Sequence, residues 1–141
     1  MPAEDLIYTE HGTYTPPHVP VKVSELTMKV EKVRREREWF IITAVDEYVK
    51  PVGLMPQPVR KPEKQHIEVN GGKASKEARE ALKYLREHPH DARLIFDLYM
   101  TPTNYAMDAL FILMPSGERV FIARTPLYYV GNIKKGGLRD E

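Results

Sequence analysis

Leu26, Met28 and Val30 alternate with Glu25, Thr27, Lys29 and Glu31, and Val21 and Val23 flank Lys22. A period of two places one set on each side of a strand. A helix also fits part of this stretch, with Leu26, Val30 and Val33 on one face and Ser24 as its cap. The period of two covers more residues, so 21–33 is predicted as strand and the charged run 34–38 as an exposed turn. Residues 39–45, Trp-Phe-Ile-Ile-Thr-Ala-Val, are bulky and β-branched and predict a second strand. Asp46 and Glu47 then suggest a turn into a further strand, 48–54, which Pro51 confines to an edge or bulge.

Residues 56–66 carry Pro56, Pro58 and Pro62 among basic residues and read as a long polyproline-like loop. A short strand, 66–69, ends at Asn70-Gly71-Gly72. The period then changes. Ala78, Ala81, Leu82 and Leu85 recur at helical spacing, Ser75 is a natural cap, Glu77 lies in the first turn, and Pro89 stops the run. Asp91 can cap a second helix, from Ala92 to about Met100, closed by Pro102. Residues 109–114 and 119–124 read as two strands joined by a Pro-Ser-Gly-Glu turn, and 127–130 as one more.

Strands, then helices, then strands predict an α+β fold. The expectation is one domain, residues 21–131, built on an antiparallel β-sheet or a small OB-like barrel with one or two helices between the strand groups. An extended arm, residues 1–20, precedes it, since Pro16, Pro17 and Pro20 exclude a helix there. A glycine-rich charged tail, residues 132–141, is expected to be flexible. No internal repeat is visible.

Composition narrows the chemistry. With 141 residues, 42% hydrophobic and 29% charged, the chain is long enough for one core. It has no cysteine, which removes disulfides, thiolate metal sites and a thiol nucleophile. No apolar run approaches the roughly 20 residues of a membrane helix, and the first residues lack a signal pattern. A cytoplasmic protein without membrane contact is expected. Scarce amides, abundant Lys, Arg and Glu, and 12 prolines suggest a thermophilic source.

Charge is uneven although the net is +1. Residues 1–20 hold Glu4, Asp5 and Glu10 and no base, while Arg119, Arg124, Lys134, Lys135 and Arg139 occur with no acid between them. Basic residues interleaved with rings are the most functional-looking pattern. Arg34, Arg35 and Arg37 lead into Trp39; Arg60, Lys61 and Lys64 lie in the proline-rich loop; Arg119 and Arg124 bound a strand that leads towards Tyr128. Cations along a phosphate backbone and rings under bases are what single-stranded DNA or RNA requires. The leading expectation is therefore a small nucleic-acid-binding protein that uses these ten residues. If they converge, the acidic arm could lie on them and compete.

Gly71, Gly72 and Lys73 join a strand to a helix and suggest an anion nest, but Ile67 and Ala74 break the phosphate-loop motif. His88, His90 and Asp91 are metal-ligand types with no third element fixed by spacing, so no metal or cofactor is assigned. The serines sit at caps and a turn, and no carboxylate pair stands out, so no catalytic residue is named. The alternatives are a protein–protein or assembly subunit, with the arm joining a homo-oligomer, and behind it an enzyme with an anion or metal site.

Overall fold

A computed structural model describes residues 7–9, 12–14, 20–101, 106–124 and 133–135. The strands are β1 (Ile7–Thr9), β2 (Gly12–Tyr14), β3 (Val21–Glu36), β4 (Trp39–Pro51), β5 (Gln57–Pro58) and β6 (Lys64–Asn70). A 3-10 turn (Gly71–Lys73) and helix α1 (Lys76–Glu87) come next. Strands β7 (Arg93–Met100), β8 (Ala106–Leu113), β9 (Arg119–Arg124) and β10 (Ile133–Lys135) complete the order. The fold is α+β, mostly antiparallel sheet with one α-helix among the described residues. No helix among them is long and apolar enough to cross a membrane.

The main sheet runs β10-β6-β4-β3-β7-β8-β9, with β5 paired to β4. Two meanders, β3-β4-β6 and β7-β8-β9, thus sit side by side, and β3 pairs antiparallel with β7 at the join. The chain crosses from one meander to the other through α1, which lies against β3, β8 and β9. This arrangement is open, so the OB-like barrel does not form among the described strands.

Burial follows the alternation. Met28, Val30, Phe40, Ile42, Ile67, Val69, Leu94, Phe96, Leu110 and Ile112 form one core with Ala78, Ala81, Leu82 and Leu85 of α1. Burying a large aliphatic side chain contributes about 1.5–3 kcal/mol, so this seam fixes the helix on the sheet. Ser75 Oγ accepts from the Ala78 N–H at 3.1 Å and closes the first turn.

Two expectations are corrected. Residues 93–100 form a strand where a second helix was expected. Leu94, Ile95, Phe96 and Asp97 are consecutive and all buried, as a central strand covered on both faces requires. Asp46 and Glu47 do not turn the chain, because β4 continues to Pro51. Asp46 instead meets a register shift beside Thr27 and Met28, where its carboxylate accepts from the Glu63 N–H and from Gln65 Nε2, each at 3.2 Å. Residues 133–135, assigned to the tail, pair with Ile67–Val69 as the outermost strand. The strand expected over 127–130 lies outside the described residues.

Candidate functional site

Strand β6 ends beside the turn that joins β3 to β4. The Gly71 N–H donates to the Glu38 carbonyl at 2.7 Å and ties the 3-10 turn to that hairpin. A Cβ at Gly71 would sit 2.6 Å from Phe40 Cε1 and 3.1 Å from the Glu38 oxygen, so only glycine fits here. This close approach brings the start of α1 to the hairpin tip. Between them opens a cleft of about 430 Å³, lined by Arg35 and Glu38 from the hairpin, Gly71 and Gly72, and five residues of α1.

Those helix residues are Lys76, Arg79, Glu80, Lys83 and Arg86. Their spacing of three and four puts them on one stripe. Arg79 Nη1 donates to the Ala74 carbonyl at 2.6 Å, which fixes that guanidinium at the cleft wall. The Arg35 guanidinium lies 5.5 Å from the centre of the Phe40 ring, and its Nε donates to the Arg37 carbonyl at 2.8 Å. Five cations therefore face two carboxylates around one opening. Phe40 is buried and supplies the floor without an exposed ring face.

Of the ten residues named from the sequence, Arg35 is the one that lines this cleft. Arg34 is its neighbour on a strand and projects to the opposite side, where it pairs with Glu36. Arg37 occupies the turn with a φ of +57°. Trp39 is half-buried in a shallow depression with Glu36, Arg37, Ile41 and Glu68. Arg60 and Lys61 are exposed in the loop before β6, and Lys64 reaches Glu31 at 3.3 Å. Arg124 lies over the exposed Phe121 ring, 6.0 Å from its centre. Tyr128 falls outside the described residues.

Arg119 goes elsewhere. Its Nη2 donates to Glu25 Oε1 at 3.0 Å, and its Nη1 lies 3.7 Å from Asp97 Oδ1. Lys22 Nζ joins them, 2.7 Å from Glu25 Oε2 and 3.4 Å from Asp97 Oδ2. A register shift between Lys22 and Ser24 allows Lys22 and Glu25, three apart on a strand, to share a face. Burial pushes the Glu25 carboxyl up, but its bonds to Lys22 and Arg119 outweigh this and hold it below its ordinary value. Burial likewise opposes the charge on Lys22, and its bond to Glu25 and the nearby Asp97 carry it above its ordinary value. The cluster is internally neutralised and binds β3, β7 and β9 together.

Two N–H groups of the glycine segment are already taken. The Gly71 N–H is used by Glu38, and the Gly72 N–H donates to Asn70 Oδ1 at 2.9 Å. Lys73 is exposed beside them. His88 meets Asp91 at 3.9 Å and stacks obliquely on Tyr84, with ring centres 4.7 Å apart. Among the described residues no three His, Asp or Glu side chains converge as metal ligands would.

The sequence reading missed Lys76, Arg79, Lys83 and Arg86. The signal was present as a 3-4-3 spacing of bases on a helix. What it lacked was the neighbour, because Arg35 lies 41 positions before Lys76 and only the β4–β6 pairing brings the two segments together.

Fold and cleft define an open-sheet α+β protein with a basic groove beside its single described helix. No protein-family model matches the chain, and neither a curated protein nor a solved structure gives a match.

Proposed function

We propose that the protein binds single-stranded DNA or RNA through the cleft between α1 and the β3–β4 turn, with Arg35, Lys76, Arg79, Lys83 and Arg86 along the phosphate backbone. The observation that carries this reading is the excess of five cations over two carboxylates around one opening. From Lys76 to Arg86 the helix rises about 15 Å, long enough for several successive phosphates. The adjoining hairpin keeps α1 from entering a major groove as a free recognition helix does. The floor ring is buried, so bases face outwards and binding tolerates any sequence.

Fluorescence anisotropy with a labelled single-stranded oligonucleotide, titrated over salt, tests this. Each phosphate neutralised on a single strand contributes about −0.7 to the slope of log affinity against log salt. With four or five cations engaged, the slope is about −3. The exposed pair Arg35→Glu and Lys83→Glu makes it shallower by about 1.4. An oligonucleotide affinity indifferent to salt, or unchanged in this double variant, removes the proposal.

A further inference from the structure

One row of cross-strand partners is rich in bases. Lys64 of β6, Val45 of β4, Lys29 of β3 and Arg93 of β7 are successive partners on adjacent strands. Direct partners in an antiparallel pair project to the same face. Lys29 and Arg93 therefore stand side by side, and like charges directly opposite destabilise a strand pair. Along the same two strands the acids Glu25 and Asp97 are also opposite partners, and Lys22 and Arg119 bridge them. No carboxylate among the described residues bridges Lys29 to Arg93.

Two bases of the row are matched one at a time. Lys64 Nζ lies 3.3 Å from Glu31 Oε1. Arg93 Nε donates to Glu47 Oε1 at 3.0 Å, and its Nη1 donates to the Ala92 carbonyl at 3.2 Å. These bonds hold the guanidinium in place and leave its Nη2 unspent. The Lys29 ammonium has no ion pair among the described residues.

A cavity of about 460 Å³ opens here, lined by Lys29, Val30, Glu31, Val45, His90 and Arg93. His90 comes from the connection between α1 and β7, and its side chain has no partner among the described residues. An imidazole keeps at least one N–H donor in either protonation state. Ammonium, imidazole and guanidinium thus reach one opening from β3, the connection and β7. Glu31, the one carboxylate among the described lining residues, is already paired with Lys64. The volume suits a small-molecule site, and the cavity shares no lining residue with the basic cleft.

We propose that this cavity is a second anion site, which takes a phosphate monoester group and bridges Lys29 to Arg93 through it. Lys29 Nζ, Arg93 Nη2 and His90 donate to its oxygens, and bonds of this charge-assisted kind are the strong ones. A monoester phosphate offers three free oxygens, one for each donor, where an internal diester offers two. Val45, in the same row, gives the ester group an apolar contact. The site is independent of strand binding in the cleft.

Thermal denaturation of the full chain, in inorganic phosphate and in sodium chloride of equal ionic strength, tests this. A ligand of the folded state raises the melting temperature. Inorganic phosphate should raise it in the wild-type chain and in Arg35→Glu/Lys83→Glu, whose altered residues lie in the basic cleft. Lys29→Gln should lose the rise. Without phosphate this variant should melt no lower than wild type, because it removes an exposed and unpaired charge opposite Arg93. His90→Ala should weaken inorganic phosphate binding about tenfold in a phosphorus NMR titration, the worth of one hydrogen bond to a charged group. Two further arms identify the source of the group. Displacement of inorganic phosphate by phenyl phosphate marks a free monoester. An oligonucleotide with a terminal phosphate that outbinds its unphosphorylated twin, in wild type and not in Lys29→Gln, marks a strand end. No rise in the wild-type chain, an equal rise in Lys29→Gln, or a rise lost only in the cleft variant overturns the proposal.

Discussion

Glu25 and Asp97 are direct partners across the β3–β7 pair, and the same two cations, Lys22 and Arg119, span both carboxylates. Like charges opposite one another destabilise a strand pair, so the fold tolerates this one because the cations bridge it. The four groups carry opposing charges in equal number and come from three strands. The result is a clasp near the centre of the sheet that holds β9 to β3 across the two strands between them.

The clasp makes stability depend on pH at both extremes. Glu25 titrates below its ordinary value of 4.5 in the folded protein, so its contribution is complete above that value and is lost as pH falls through the folded one. Lys22 titrates above its ordinary value of 10.5, so its contribution is complete below that value and is lost as pH rises through the folded one. Urea midpoints should therefore fall below about pH 4.5 and above about pH 10.5. Glu25→Gln should cost about 1.5–3 kcal/mol at neutral pH, the worth of hydrogen bonds to charged partners, and should flatten the acid limb. An acid limb left unaltered by Glu25→Gln would show that this carboxylate does not contribute to it.

Asp97 should matter less than Glu25, although it is the more buried of the two. Its contacts to Lys22 and Arg119 are 3.4 and 3.7 Å, against 2.7 and 3.0 Å for Glu25, and its Oδ1 is buried without a hydrogen-bond partner. An unsatisfied buried acceptor retains its desolvation cost. Asp97→Asn should lower stability by about 1 kcal/mol or less. Arg119→Met should cost more, about 2–3 kcal/mol, since both carboxylates then share Lys22 alone. Chemical denaturation of the three single variants gives the order, and a larger loss in Asp97→Asn than in Glu25→Gln contradicts the geometry.

β3 was legible from its alternation and α1 from its helical spacing, while β4, β6, β8 and β9 were read as short β-branched or apolar runs bounded by turn residues. β7 was not legible. Leu94, Ile95 and Phe96 are buried on both sides of a central strand, and a continuous apolar run carries no period to separate strand from helix. The extension of β4 through Asp46 was hidden for a related reason, since two acids in a row read as a turn until Gln65 and the Glu63 N–H are placed against Asp46. The cleft was half legible. Arg35 was named for its charge, but local sequence says nothing of strand order, and strand order is what sets α1 beside it. The partners of Arg119 were not legible because the two carboxylates lie 94 and 22 positions away.

Gly71 couples fold to cleft. A methyl group there meets the Phe40 ring and the Glu38 carbonyl, and the backbone oxygen cannot move without breaking the 2.7 Å bond from the Gly71 N–H. Gly71→Ala should destabilise by about 1–3 kcal/mol, the range for overpacking. Gly72→Ala meets Asn70 Oδ1 at 3.2 Å, a side-chain atom, and should cost less. Thermal denaturation of the two alanine variants measures the contrast, and equal melting temperatures would show that the Gly71 contact is not tight.

Arg37 and Arg35 separate stability from binding within one turn. Arg37 holds a φ of +57° as the first of the two residues between β3 and β4, a position where glycine is the natural occupant. A side chain in that region costs about 1 kcal/mol or more. Arg37→Gly should therefore raise stability by about 1 kcal/mol. Arg37 lies outside the basic cleft, so the salt dependence of oligonucleotide binding should be unchanged. Arg35→Gln should do the reverse. It removes the guanidinium over Phe40 together with its bond to the Arg37 carbonyl, and makes the salt slope shallower by about 0.7. Denaturant midpoints and salt titrations on the same two proteins decide it. If Arg37→Gly weakens binding as much as Arg35→Gln, the strand follows the hairpin tip and not the groove beside α1.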